Sequence, residues 1–274
     1  MSEEPKINEL FSLKGRIAVV TGALGLIGKN HCKALTEAGA SVVVCDLNEI
    51  KCKEFASTLV EKSLGIGADI SNKESVINLK DKINHTFGKV DILVNNAALN
   101  DSFENPQAAA EQSMFENYPL EMWQKSLDIN VTGIFLCSQL IGTMMAERGS
   151  GSIINIASTY GITAPDQSIY KNDKGEQTFY KSVSYPVAKG AVIMFTKFLA
   201  AYWGAKGVRV NTLSPGGVEN KQEDFFIRNY SAKTPLGRMA HPTDYKGALV
   251  FLASDASNYM TGANLVLDGG WTAW

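Results

Sequence analysis

The apolar run Arg16–Thr21 (RIAVVT) opens directly into Gly22-Ala23-Leu24-Gly25-Leu26-Ile27-Gly28, and this stretch decides how the rest of the chain is read. A short β-branched run, a glycine-rich turn and an amphipathic stretch from Leu26 to Ala38 predict a strand entering a helix. Glycines at 22, 25 and 28 let backbone come close to a pyrophosphate. The helix start offers unpaired N–H groups and a favourable dipole to that negative charge. Alone, the spacing also suits an ordinary strand-to-helix turn, so its meaning rests on what surrounds it.

The second apolar run, Ser41–Asp46 (SVVVCD), ends in an acid 18 residues past Gly28. An acid at about this distance accepts hydrogen bonds from the adenosine ribose. Its carboxylate repels a 2′-phosphate, and neither Leu24–Ile27 nor Leu47–Ile50 holds an Arg or Lys to receive one. The pattern favours NAD(H) over NADP(H) as cofactor. Asp46 also suits a helix N-cap, a role that Asn48 can take instead. Asp69, after a third strand, either meets the adenine end or caps the helix starting near Lys73. Leu47 and Ile70, beside the two acids, join the candidate cofactor set. Asn96, Ala97 and Ala98 end a fourth strand, at the carboxyl edge where open α/β sheets bind ligands. For Asn96 the simpler reading is that its amide satisfies backbone groups.

Outward from this core, β-branched runs keep alternating with longer amphipathic stretches. Leu64–Ala68, Asp91–Asn95, Ser152–Ile156, Val208–Leu213 and Asn264–Leu267 complete seven strands, mostly near-continuous apolar runs as expected when both faces are buried. Helices are predicted over Leu26–Ala38, Glu49–Val60, Lys73–Phe87, Leu120–Arg148, Tyr185–Lys206 and Thr243–Ser254, with Gly39, Gly88, Gly149 and Gly207 placed as C-caps. The expected fold is α/β: one Rossmann-type, doubly wound, parallel seven-stranded sheet with helices on both faces. It forms a single domain over 13–274 behind an N-terminal extension, 1–12. Asn100–Pro119 and Gly161–Ser184 break the rhythm and read as long loops, which in a compact domain are more often functional than idle.

At 274 residues and 45% hydrophobic content the chain can bury one large core. A formal charge of −2 gives no reason to expect nucleic acid or an anionic membrane as partner, which leaves a small-molecule substrate. Cys32, Cys45, Cys52 and Cys137 form no C-x-x-C pair, so no disulfide framework and no metal site is expected. The first eleven residues have no apolar core, and we expect no later stretch to reach the roughly 18–20 apolar residues of a spanning helix. A cytoplasmic location follows as the expectation.

The candidates for chemistry are Asn130, Ser158, and Tyr185 with Lys189. A tyrosine and a lysine four apart near a helix start share one face. An ammonium beside a phenol favours phenolate, lowering a pKa normally about 10 towards the range that a general acid/base for an alcohol needs. The same spacing also occurs on amphipathic surface helices. Tyr170 and Lys174 repeat it, but Lys171-Asn172-Asp173-Lys174-Gly175 has no apolar face and reads as loop. Tyr185 instead feeds Gly190-Ala191-Val192-Ile193-Met194-Phe195, which can bury a helix.

Taken together, TGALGLIG, Asp46, Asp69, NNAA, Asn130 in DINVTG, Ser158 in SIINIAS, YPVAK, NTLSPGG and TGANLVLDGG resemble the short-chain dehydrogenase/reductase family, from Leu13 to Trp274. The resemblance implies an NAD-dependent oxidoreductase interconverting a secondary alcohol and a ketone. Tyr185 would exchange the proton at the substrate oxygen and Ser158 would hydrogen-bond that oxygen. Lys189 would hold the nicotinamide ribose, and Asn130 would fix a water linking the lysine to solvent. Pro215, Gly216, Gly217 and Val218 would line the nicotinamide. A homotetramer or dimer is also implied, with the Tyr185–Lys206 helix and the last strand at interfaces.

Some positions depart from the family pattern. Ala98 replaces the usual last glycine of its segment, and Asn220 stands where a threonine usually lies. From Ser158 to Tyr185 the chain runs 27 residues, about twice the family's usual gap, so Gly161–Ser184 must loop out beside the substrate. That insertion and Asn100–Pro119 carry Asp101, Glu104, Asp166, Asp173 and Glu176. These suggest a pocket for a sugar, sugar acid or polyol, because many hydroxyls need many partners. PDQ, GGVEN and the insertion also resemble a branch found among bacterial surface-glycan and flagellin-modification dehydrogenases. Two other readings stand beside this one: a 3-oxoacyl-type reductase, and a non-catalytic nicotinamide-binding sensor or scaffold.

Overall fold

Successive side chains of a strand point to opposite faces of its sheet. In the computed structural model, which describes residues 4–100 and 109–274, β1 (Ile17–Thr21) is buried at every position, so both of its faces are covered. It sits inside a seven-stranded sheet with β2 (Ser41–Asp46), β3 (Leu64–Gly67), β4 (Ile92–Asn95), β5 (Gly151–Ile156), β6 (Val208–Pro215) and β7 (Asn264–Leu267). The order is β3-β2-β1-β4-β5-β6-β7 and every pairing is parallel, as the sequence predicts.

In register, Val19 lies between Val43 and Leu93. Together with Ile153 and Val210 they pack against Leu79 and Ile83 of helix Lys73–Phe87, and Leu199 and Trp203 of helix Ser184–Trp203. The alternate residues, Ala18, Val20, Val42, Val44, Ile92 and Val94, pack on the other face. There they meet Cys32 and Leu35 of helix Leu26–Glu37 and Leu249 and Leu252 of helix Lys246–Ala253. Strand order reverses between β1 and β4. Crossovers leave on opposite faces there and open a crevice at the carboxyl ends of the strands.

A buried polar chain fixes the helix that carries Tyr185 against this sheet. Asn95 Nδ2 donates to Asn155 Oδ1 at 2.8 Å, Asn155 Nδ2 to Thr196 Oγ1 at 2.9 Å, and Thr212 Oγ1 meets Thr196 Oγ1 at 2.8 Å. β4, β5 and β6 are thereby tied to one point on the helix. The paired donors favour a single register, because slippage leaves them unpaired, while Asn95 Oδ1 is buried without a hydrogen-bond partner.

Several boundaries differ from the sequence reading. Helix Glu49–Ala56 stops before Val60 because the Ser57 and Thr58 hydroxyls donate back to the carbonyls of Glu54 and Phe55 at 2.7 Å each, competing with the next turn. The last long helix starts at Lys246 rather than Thr243. Ahead of it the Asp244 carboxylate accepts the His241 N–H at 2.8 Å and holds a turn. A helix over Asp224–Ala232 was not foreseen. Gly39, Gly88, Gly149 and Gly207 all take positive φ, as their C-cap placement requires.

The stretch Leu120–Arg148 is helical throughout, with π turns at Asp128–Thr132 and Ser138–Gly142. Contrary to expectation it is long and apolar enough, by composition, to cross a membrane; half of its most apolar window is buried inside the fold. The charges of Glu121, Lys125 and Asp128 near its start mask that apolar length in the sequence. Its Leu136, Cys137, Ile141 and Met145 belong to the core beside the sheet.

Of the two segments read as loops, Asn100–Pro119 is described at Asn100 and from residue 109 on, where helix Ala109–Ser113 and a 3-10 turn, Phe115–Asn117, appear. Asp101 and Glu104 lie outside the described residues. Gly161–Ser184 holds a 3-10 turn, Gln167–Tyr170, and an antiparallel bridge between Lys171 and Gln177. In the N-terminal extension Phe11 packs on Phe251, with ring centroids 6.3 Å apart.

Candidate active site

Gly22 takes φ +60°, and a Cβ there would lie 2.5 Å from the Ala97 Cα, so the turn and the Asn95-Asn96-Ala97 segment can approach only without one. At Gly28, inside the helix, a Cβ would meet the Gly22 carbonyl oxygen at 2.2 Å. Asn96 staples the two segments: its Nδ2 donates to the carbonyls of Thr21 and Gly22 at 2.9 Å each. The simpler reading of Asn96 therefore holds for its Nδ2, while its Oδ1 is buried without a protein partner. Thr21 Oγ1 accepts the N–H groups of Asn96 and Ala97 at 3.1 Å.

Asp46 is not a helix cap. Asn48 takes that place, accepting the Lys51 N–H, while Asp46 accepts the N–H groups of Leu24 at 3.0 Å and Leu47 at 2.8 Å. Its carboxylate is thus fixed at the β2 end beside the glycine turn. Asp69 is not a helix cap either: Asn72 caps, and Asp69 Oδ1 accepts from Ser71 N–H and hydroxyl at 2.9 and 2.7 Å.

Gly22, Gly28, Asp46, Asp69 and Asn96 line one cleft of about 1030 Å³. Every residue grouped above as a cofactor candidate lines it, from Gly22 through Asp46 and Asp69 to Val218. The donor set fits a dinucleotide. A side-chain-free cradle at Gly22 and Gly28 faces a helix start that leaves N–H groups without intrahelical partners, and an acid stands at ribose distance in sequence.

Ser158, Tyr185 and Lys189 line the same cleft. Ser158 leaves β5 in extended backbone, and its Oγ accepts the Tyr160 N–H at 3.2 Å. Tyr185 lies in the first turn of helix Ser184–Trp203. Lys189, one turn on and 2% exposed, donates to the Ile156 carbonyl at 2.8 Å. Burial, and then the ammonium of Lys181, bring Lys189 down to about 8. Burial pushes the Tyr185 phenol up, and a hydrogen bond with Ser158 opposes it. The expected lowering of the phenol thus does not dominate in the protein alone. Tyr170 lies against an aromatic cluster while Lys174 is exposed, so the second Tyr/Lys pair does not converge.

Asn130 is fully buried in the π turn and does not line the cleft. Its amide accepts the Leu99 N–H at 2.8 Å and donates to the Leu99 carbonyl at 3.0 Å and to Ser126 Oγ at 3.1 Å. The side chain therefore holds the segment after β4 in place, and a π turn here widens the helix ladder next to the cleft.

On the side away from the glycine turn the cleft has an aromatic wall the sequence reading missed. Tyr230 stacks on Trp271 with centroids 4.2 Å apart and accepts the Gly217 N–H at 2.5 Å; Tyr170 packs on Phe226 at 5.2 Å. The i, i+1, i+4 apolar pattern of Phe226, Ile227 and Tyr230 signals this helix face. The insertion's acids do not line the cleft, contrary to expectation. Asp166 pairs with Lys233 and Asp173 with Arg228, fastening the insertion to helix Asp224–Ala232 and to the residue that caps its C-terminus, while Glu176 accepts from Asn172. The insertion's lining residues beside Tyr185 are Tyr170 and Lys181, and polar lining comes also from Glu121, Gln124 and Gln222.

Comparison with known proteins places this architecture among dehydrogenases. A family model described as enoyl-(acyl carrier protein) reductase matches residues 22–272. A D-threitol dehydrogenase of Mycolicibacterium smegmatis is 35% identical over 99% of this chain and 98% of its own. An NAD-dependent glycerol dehydrogenase of Listeria innocua is 31% identical over 96% of both. A crystal structure of a gluconate 5-dehydrogenase from Burkholderia cenocepacia, in complex with NADP and tartrate, superposes with a TM-score of 0.84. It is 29% identical and covers 98% of this chain and 100% of that one.

Proposed function

The chain belongs to the short-chain dehydrogenase/reductase family, and from that premise we propose that it is an NAD(H)-dependent dehydrogenase interconverting a secondary alcohol and a ketone on a polyol, sugar or sugar acid. The observation that carries the proposal is the meeting of Tyr185, Lys189 and Ser158 with a dinucleotide cradle in one cleft.

Nicotinamide, when bound, supplies the hydride acceptor for the alcohol or the donor for the ketone. Gly22, Gly25, Gly28 and the helix start would hold the pyrophosphate. Asp46 would accept the adenosine ribose hydroxyls, and Lys189 would donate to the nicotinamide ribose. Ser158 hydrogen-bonds the reacting oxygen and Tyr185 removes its proton during oxidation, or returns one during reduction. The Tyr185 phenol starts above its ordinary value, so its phenolate depends on cations nearby, of which Lys189 is one. Asn130 keeps Leu99 and the adjoining lining in register.

NAD rather than NADP is supported by the fixed Asp46 carboxylate at the ribose end. The polyol reading is supported by the threitol and glycerol dehydrogenases, and by a cleft offering hydroxyls, amides and carboxylates above an aromatic wall on which C–H faces can rest. An acyl-type reductase is the second reading, favoured by the description of the matching family model. Initial rates with NAD and NADP over polyols, sugars, sugar acids and 3-oxoacyl thioesters separate the two. Turnover only on thioesters with NADPH overturns the polyol reading.

The enzyme is proposed to act in the cytoplasm as a homotetramer or dimer. Val187, Met194, Phe198 and Tyr202 expose an apolar stripe on helix Ser184–Trp203 that suits a subunit contact. Sedimentation equilibrium reads that state directly, and a monomer at all concentrations contradicts it.

A further inference from the structure

Lys189 is not the ammonium closer to the Tyr185 ring. Lys181 Nζ lies 4.0 Å from the ring centroid, against 5.7 Å for Lys189. Lys181 comes from the insertion, and the insertion is built to hold it. Gln167 grips its backbone from both sides: Gln167 Oε1 accepts the Lys181 N–H at 2.8 Å, and Nε2 donates to the Lys181 carbonyl at 3.1 Å. Gln177 in turn donates to the carbonyls of Gln167 and Phe179 at 2.7 Å each, and Tyr180 donates its N–H to Ser113 Oγ at 2.9 Å. The ammonium also meets Asn100 Oδ1.

We propose that Lys181 is a positioning residue for the Tyr185 acid/base, a second cation held by the insertion against the face of the phenol ring. The inference rests on the reading of Tyr185 given above. A cation over an aromatic face is attracted to the ring's electron density, and a phenolate ring carries more of it than a phenol. The contact therefore strengthens on deprotonation, and only an interaction that differs between the two states shifts their balance. Lys181 and Lys189 also repel each other. Among the described residues, the other titratable groups around Tyr185 are Tyr160 beside Ser158, Tyr170 of the insertion and Tyr230 of helix Asp224–Ala232. Glu121, Lys125 and Asp128 of helix Leu120–Arg148 line the same cleft. The long gap between Ser158 and Tyr185 thereby acquires a chemical role, not only a shape.

The test uses the full-length enzyme with bound nucleotide, comparing wild type, Lys181→Met and Lys181→Arg, with Lys181→Gln in reserve if the Met variant does not fold. Two readouts are taken: the pH profile of alcohol oxidation, and the ¹³Cζ chemical shift of Tyr185 against pH, assigned with Tyr185→Phe. Removing an opposite charge at this range should move the Tyr185 midpoint up by about one unit. Turnover below the midpoint should then fall about tenfold with KM little changed, and the Arg variant should recover most of it. An unmoved midpoint in the neutral variants overturns the proposal. So does a loss confined to KM on carboxylate-bearing substrates, which would make Lys181 a substrate contact. Full turnover by Tyr185→Phe would instead remove the acid/base reading beneath it, and the two failures are seen in different variants.

Discussion

Replacing Asp46 by Asn separates charge from shape at the ribose end of the cleft. The asparagine oxygen can keep the 3.0 Å bond from Leu24 N–H, while the Leu47 N–H lies at the surface and finds water. What changes is the charge. A carboxylate and one charge of a 2′-phosphate about 5 Å apart repel by about 3 kcal/mol at an effective dielectric constant of about 20. Partial exposure and salt reduce this to about 1.4 kcal/mol, a factor of about ten in NADPH affinity. Bonds from the ribose hydroxyls to a neutral oxygen are about half as strong as to a carboxylate, which weakens NADH about fivefold. The preference for NADH should therefore shrink about fiftyfold, and more at low salt than at high. Quenching of tryptophan fluorescence on titration with each nucleotide measures both affinities in wild type and variant. An NADPH affinity that does not move, or a wild type that binds NADPH as tightly as NADH, refutes the reasoning.

Two further outcomes follow from groups away from the chemistry. His31 is fully buried with neither ring nitrogen partnered, and burial lowers it from 6.5 to about 4. Above pH 6.5 it is neutral folded and unfolded; as pH falls from there to 4 the unfolded chain gains the proton first, so stability is lost across that window, by about 3 kcal/mol at most. Urea unfolding against pH should show this loss reduced in His31→Leu, and parallel curves for both proteins would contradict it. Gly28→Ala would gain about 1 kcal/mol in helix propensity, but its Cβ would lie 2.2 Å from the Gly22 oxygen and 3.0 Å from Asn96 Nδ2. Overpacking of about 1–3 kcal/mol wins, so thermal midpoint and nucleotide affinity should both fall, whereas an unchanged affinity would separate the turn from the nucleotide.

The sheet was legible because strands covered on both faces are written as apolar runs, and all seven were read to within two residues at each end. Helix ends were less legible where side chains competed with the ladder, as Ser57 and Thr58 do after Ala56. Asp46 and Asp69 each had a capping alternative that only coordinates could remove, since Asn48 and Asn72 are equally plausible in sequence and are the residues that cap. The aromatic wall was not legible as a unit because Tyr170, the Phe226 and Tyr230 helix face, and Trp271 come from three segments far apart in the chain. Acids in the insertion suggested a polar pocket, yet sequence carries no sign of which carboxylates pair with Lys233 and Arg228. Lys181 was passed over for the same reason: its distance from Tyr185 depends on how Gln167 folds the insertion back.

The central claim is that Tyr185 exchanges the proton at a substrate carbon–oxygen bond while the cleft holds NAD. Its most direct test is the rate of NADH formation on the best polyol of a panel by wild type and Tyr185→Phe, with NADH affinity measured alongside. The account predicts a loss of about a thousandfold in turnover with nucleotide binding retained. A Tyr185→Phe enzyme that turns over at the wild-type rate contradicts it.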